Sequence, residues 1–188
     1  MTENNLIEIV QMDFPDLGHT LIAHELRKAE RDFVSKTYIL HAPFSNWADG
    51  EDLSKLSKEF YAVKEIVFYD KNEHQRDSAY TVDGDFKFYI INSTDSDTLT
   101  ASGAYYYMPS GDWGGNLPSN SPAIPAQFHE ALTYYVLKKA AVRAKDDRAR
   151  IYFSEYNTAI KEGKQYANEE NKRTGLKFEM SLGLRNYK

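Results

Sequence analysis

Two dipeptides invite a chemical reading, His24-Glu25 and His129-Glu130. A zinc-hydrolase helix reads His-Glu-x-x-His: two imidazoles one turn apart hold one metal, and the carboxylate beside them serves as general base. Here the position one turn on is Lys28 in the first case and Thr133 in the second, so the second ligand is missing both times. Of the five histidines, His19 and His24 are the closest pair. They fall about 140° apart around a helix, too far for one shared metal.

Other reactive sets fail on similar grounds. The chain has no cysteine, which removes thiol nucleophiles, thiolate zinc sites and disulfides. Neither a Gly-x-Gly-x-x-Gly run nor a Gly-x-x-x-x-Gly-Lys-Ser/Thr run occurs. The cluster Gly111, Gly114 and Gly115 encloses Trp113 and reads as a surface loop. No Gly-x-Ser-x-Gly elbow is present. The carboxylate pairs Asp49/Glu51/Asp52, Asp83/Asp85 and Asp95/Asp97 sit in polar, turn-like contexts, where water keeps their acidity ordinary. Asp95-Ser96-Asp97 lacks the terminal glutamate of a calcium loop. The expectation is a chain with no catalytic, cofactor or metal residues. A small hydrolase built on His129 and Glu130 is the lesser alternative.

The totals point to a protein that meets other proteins. The chain has 188 residues and a formal net charge of −5, with 14 tyrosines. Tyrosine has an apolar body and a polar tip, which suits surfaces that become covered on association. Residues 161–188 hold seven Lys/Arg and four acids, a balance of +3, so the remainder carries −8 of the total −5. An acidic body does not grip nucleic acid through bulk positive charge. The basic end suits an acidic partner surface. No apolar run nears the roughly 20 residues that span a bilayer. No basic stretch followed by an apolar core opens the chain, so no membrane is expected, and folding in a cytoplasm is.

The elements that would position these residues follow from hydrophobic spacing. Residues 14–38 read as one long helix, with Ile22, Leu26, Ala29 and Phe33 on one face and Pro15-Asp16 at its start. Residues 39–59 read as an irregular link. From 60 to 109 the period changes to that of strands: FYAVKEIVFYD, AYTV, FKFYIIN and TLTASGAYYYMP, separated by turns, make a small antiparallel β-meander. After a loop, residues 125–144 read as a helix with Phe128, Leu132, Tyr135 and Val142 in one stripe and Ala131 and Leu137 beside it. Residues 147–169 read as its antiparallel partner, with a seam of Ala149, Tyr152, Tyr156, Ala159, Gly163 and Tyr166. Beyond residue 170 the helical signal stops. Leu176, Phe178, Met180, Leu182 and Leu184 alternate as in a strand that docks on something. The expected fold class is α+β and mainly helical: a long N-terminal helix, a C-terminal antiparallel helical hairpin, a small antiparallel β-meander between them and an extended C-terminal tail. Residues 1–170 form one domain and 171–188 a docking tail.

Three stretches carry a resemblance. They are AHELRKAERDFVSKTYILH (23–41), with Ala29, Phe33, Thr37 and Tyr38; AIPAQFHEALTYYVLKKAAVRAKDD (123–147); and ARIYFSEYNTAIKEGK (149–164). Together they resemble the head-to-tail adaptor, or connector, proteins of tailed bacteriophages, especially those of short-tailed phages. The likeness covers roughly residues 15–170. The linker 42–59 and the tail 171–188 depart from it. The resemblance implies a structural virion protein without an active site, assembled in host cytoplasm and resident in the neck. Copies would form a ring, typically a dodecamer, below the portal protein. That ring would extend the DNA channel, let double-stranded DNA pass without specific binding, and dock the tail tube or nozzle. On this reading Leu176, Phe178, Met180, Leu182, Leu184, Lys172, Arg173 and Arg185 meet the portal, and Tyr134, His129, Glu130, Tyr152, Tyr156 and Tyr166 meet neighbouring subunits. The alternative is another neck or tail part: a stopper, tail terminator or tail-tube protein.

Overall fold

The structure is a computed structural model and describes residues 1–91, 99–110 and 121–173. Among these residues the chain order is two helices, seven strands, then two helices. The N-terminal region is a helix pair and not one long helix. Helix α1 (Glu3–Asp13) starts at Thr2, whose hydroxyl accepts the Asn5 amide while the Asn5 side chain accepts the Thr2 amide. This reciprocal cap satisfies donors that a helix start leaves unpaired. Leu6, Ile7 and Val10 bury its inner face. Pro15 and Asp16 lie in the turn between helices, and α2 runs His19–Thr37. Tyr38 ends α2 in the left-handed region, at φ 55°.

The stretch expected to be an irregular link contains strands. They are β1 (His41–Ala48) and β2 (Glu51–Asp52), followed by a 3-10 turn over Leu53–Lys55. Next come β3 (Glu59–Tyr69), β4 (Gln75–Arg76), β5 (Ala79–Val82), β6 (Lys87–Ile91) and β7 (Thr100–Met108). They do not form a small meander. One antiparallel sheet has the order β1-β7-β3-β4 and a second has the order β2-β6-β5. The expected mainly helical class is therefore overturned in favour of a mixed α+β fold with two sheets. The reason is a second core. Ala42, Phe44, Trp47, Leu53, Phe68, Phe88, Leu99, Ala101 and Tyr105 bury together, and each fully buried large apolar side chain contributes about 1.5–3 kcal/mol. Phe44 and Trp47 stack at 3.7 Å. Pro43 is tolerated because β1 is an edge strand, where a missing N–H need not break a ladder. Gly103 of β7 allows β3 to come close, since a Cβ there would land on the Glu65 carbonyl.

The helices share the first core. Helix α3 (His129–Ala144) follows a 3-10 turn over Ala126–Phe128, and α4 spans Ala149–Arg173. Phe128 meets Tyr166, and Tyr135 meets Tyr156, so α3 and α4 run in opposite directions. Leu132, Ala131 and Leu137 are buried. Val142, placed in the same stripe by its spacing, is 63% exposed because α3 turns it outward near the connection. Gly163 packs on Phe33 and Thr37 and brings α4 onto α2. The Arg31 guanidinium donates to both Glu59 carboxylate oxygens, at 2.6 and 2.9 Å, and to the Pro109 carbonyl at 3.0 Å, which ties α2 to the first sheet.

Candidate functional site

His129 is built into the fold. It is 5% exposed. Its Nδ1 lies 3.0 Å from the Met1 amino nitrogen and its Nε2 2.9 Å from the Ile124 carbonyl oxygen. A charged amino group only donates, so Nδ1 accepts and Nε2–H donates to Ile124, which is the neutral tautomer. Burial holds the ring below its ordinary pKa against the opposing Ile124 hydrogen bond, and the charge of the amino terminus adds to the depression. His24 is exposed, whereas its neighbour Glu25 turns inward and takes Lys28 at 3.4 Å and Lys139 at 2.7 Å. Among the described residues no three His, Asp or Glu side chains are grouped to hold a metal ion.

Other charged groups join elements together. Glu30 is fully buried, and its Oε1 accepts the Ala123 and Ile124 amides at the approach to α3. The Tyr156 hydroxyl donates to Asp32 at 2.7 Å, and Lys36 reaches the same carboxylate at 2.6 Å. Burial, reinforced by Asp32, holds the Tyr156 phenol far above its ordinary value. Glu30 follows Leu26 by one helical turn, so its inward direction is written in the spacing, although its partners are not.

The six tyrosine, histidine and glutamate side chains expected at subunit contacts do not converge. Tyr156 and Tyr152 are 1% and 8% exposed, inside the helical core. His129 is spent on Met1 and Ile124. Tyr166 sits edge-on to Phe128 at 5.6 Å and lines a cleft of about 310 Å³ with Gln127, Glu162, Gln165 and Glu169. Glu130 is exposed and accepts the hydroxyl of half-buried Tyr134 at 3.1 Å. Of the six, Glu130 is the one that is exposed. Leu176, Phe178, Met180, Leu182, Leu184 and Arg185 lie outside the described residues. Lys172 and Arg173 lie in the last turn of α4. The Gly111–Gly115 cluster and the Asp95-Ser96-Asp97 turn are likewise outside the described residues.

Two exposed tyrosines, Tyr38 at the end of α2 and Tyr61 of β3, set their rings 5.7 Å apart. Among the described residues no helix is long and apolar enough to cross a membrane.

No curated protein matches the chain. The model of the SU10 adaptor protein family matches residues 13–176, from the end of α1 to just past α4. The chain therefore belongs to the SU10 adaptor protein family, a phage adaptor family, and that membership points to a structural role in contact with other head and tail proteins.

Proposed function

We propose that the chain is the ring-forming head-to-tail adaptor of a short-tailed phage. Copies assemble coaxially below the portal protein in the virion neck, extend the DNA channel and present the platform on which the tail tube or nozzle docks. Family membership over residues 13–176 carries this reading. The chemistry of the chain supports it. The ionisable groups at the centre of the helical layer, Glu30, Asp32 and His129, are engaged in internal hydrogen bonds that hold elements together. With a net −8 outside residues 161–188, a channel wall made of this body repels phosphate and lets DNA slide.

In this reading residues 1–170 are the adaptor body and 171–188 its docking tail. The apolar row Leu176, Phe178, Met180, Leu182 and Leu184 adds to the portal as a strand, and Lys172, Arg173 and Arg185 flank it with positive charge. Tyr134 and Glu130 face a neighbouring subunit. The deciding experiment is electron microscopy of the purified protein mixed with its portal at micromolar concentration. Ring-shaped density stacked on the portal is expected; free monomers beside bare portals would defeat the proposal.

A further inference from the structure

The end of α4 delivers the chain to the face of the first sheet turned away from the sheet core. Gly163 packs against Thr37, the last residue of α2. From there α4 runs on for ten residues, about 15 Å, to Arg173. Glu170 lies on this overhang. Burial holds Lys64 of β3 and His41 of β1 below their ordinary pKa values, and the Glu170 carboxylate opposes the shift in both. Helix α4 therefore ends beside the corner where β1, β7 and β3 meet. Tyr106 of β7 stands there between His41 and Ala62, on the opposite face from Tyr105, which is buried in the sheet core. Three rings form a row at this corner: Tyr38 is 5.1 Å from Tyr106, edge-on, and 5.7 Å from Tyr61. Tyr38 and Tyr61 are 42% and 40% exposed. The charges around them offset one another, with Lys58 and Lys64 against Glu65 and Glu170, and His41 held toward its neutral form. The open part of the corner is aromatic rather than ionic.

We propose that the chain's own tail, residues 174–188, lies across these tyrosines until a portal is met, with the apolar row from Leu176 to Leu184 against the rings. The stowed tail goes beyond the ring reading above; only its consequence for docking rests on that reading. The point of exit favours this occupant, since Leu176 follows Arg173 by three residues, a reach of about 10 Å. Length favours it too: Leu176–Leu184 in extended form spans about 25 Å, more than enough to cross three neighbouring rings. So does chemistry. Leu176, Phe178, Met180, Leu182 and Leu184 share one side of a strand, and Lys177, Glu179, Ser181 and Arg185 take the other. Tyrosine rings accept the apolar side while their hydroxyls stay in water. Tethering decides between this tail and a second copy. A short tether holds the tail at an effective concentration of about 1 mM, so a modest contact suffices. The same apolar row cannot lie on the tyrosines and add to the portal at once. Stowing therefore sets a threshold that the portal must overcome, and it keeps the row out of water in free copies.

The test starts with the chain alone. Hydroxyl-radical footprinting at low micromolar concentration compares full-length wild type, full-length Phe178→Ser/Met180→Ser and the chain truncated after Arg173. Tyr38 and Tyr61 should be oxidised at least threefold faster in both altered proteins. Phe86 and Phe153, 49% and 52% exposed, should react alike in all three. Equal tyrosine reactivity in the three proteins would overturn the proposal. So would shielding in wild type that fades on tenfold dilution, which would make a neighbour's tail the occupant. Faster oxidation of buried Phe33 and Phe88 in the altered proteins would report a loosened fold instead of an uncovered face, and would overturn it as well. Portal is then added. Tyr61→Ser should tighten portal attachment of the full-length chain at least threefold and leave that of the truncated chain unchanged. No tightening would remove the competition between the two sites. Shielded tyrosines in a chain that never attaches to portal would support the stowed tail and defeat the docking reading alone.

Discussion

Gly163 of α4 stands directly against the ring of Phe33 in α2: a Cβ at position 163 would lie 2.8 Å from the Phe33 Cζ and 2.8 Å from the Thr37 Cγ2. Phe33 is fully buried and Thr37 is 3% exposed, so neither can move aside cheaply. The closeness of α4 to α2 depends on the absence of one methyl group.

Gly163→Ala therefore sets two effects against each other. Alanine in a helix interior gains about 1 kcal/mol over glycine. Overpacking a close-packed site costs about 1–3 kcal/mol. The clash wins, and urea unfolding should show a net loss of about 1 kcal/mol. A more stable variant would mean that α4 tilts away freely.

Glu30 organises the approach to α3 by accepting two backbone amides in the core. Glu30→Ala leaves buried donors unmet and opens a cavity, for a loss of about 2–4 kcal/mol. Glu30→Gln retains one acceptor oxygen and should lose less than half of that. Chemical denaturation of the three proteins at one pH gives the ranking.

Tyr156 supplies a pH signature. Its folded-state pKa is raised above the ordinary 10.0, by burial first and Asp32 second. Its stabilising contribution is thus complete below pH 10.0 and is lost as the solution becomes more alkaline. Tyr156→Phe should cost about 1 kcal/mol at neutral pH through the missing hydrogen bond. It should also flatten the alkaline limb of the stability curve. Parallel wild-type and variant curves above pH 10 would remove Tyr156 as the cause.

Truncation after Arg173 removes the alternating apolar segment and leaves α4 intact as described. The shortened protein should keep its circular dichroism spectrum and cooperative melt. Its portal attachment should weaken at least tenfold in a co-sedimentation assay. Undiminished attachment would take the tail out of the docking mechanism.

Helical spacing alone exposes the buried faces of α2, α3 and α4, because a period near 3.6 over four or more turns is hard to mimic. Ile22, Leu26, Ala29 and Phe33 are all fully buried. Helix α1 escapes notice because its inner face holds only Leu6, Ile7 and Val10, and its start signal is the less familiar Thr2–Asn5 cap. Strand β1 escapes because Asn46, at φ 57°, and a register shift between Phe44 and Trp47 break the alternation that marks strands. The burial of Lys64 in β3 was hidden for a related reason. Strand β3 shifts register twice, between Phe60 and Ala62 and between Val63 and Glu65. Phe60, Val63, Ile66 and Phe68 all pack against the sheet core, although strict alternation would put Val63 on the opposite face from the other three. The destination of Lys64 cannot be counted off from its neighbours.

The clasp of Glu30 on Ala123 joins positions separated by 93 residues, and both sheets lie within that span. Topologically the sheets are an insert held in a helical frame that closes on itself. Loop-closure entropy grows slowly with length, so doubling the span costs only about 0.6 kcal/mol. The insert can thus lengthen, shorten or change its outer strands at small cost, while α1, α2, α3 and α4 keep their packing. Such an arrangement leaves the sheet module able to change its outline without disturbing the helical frame that holds it.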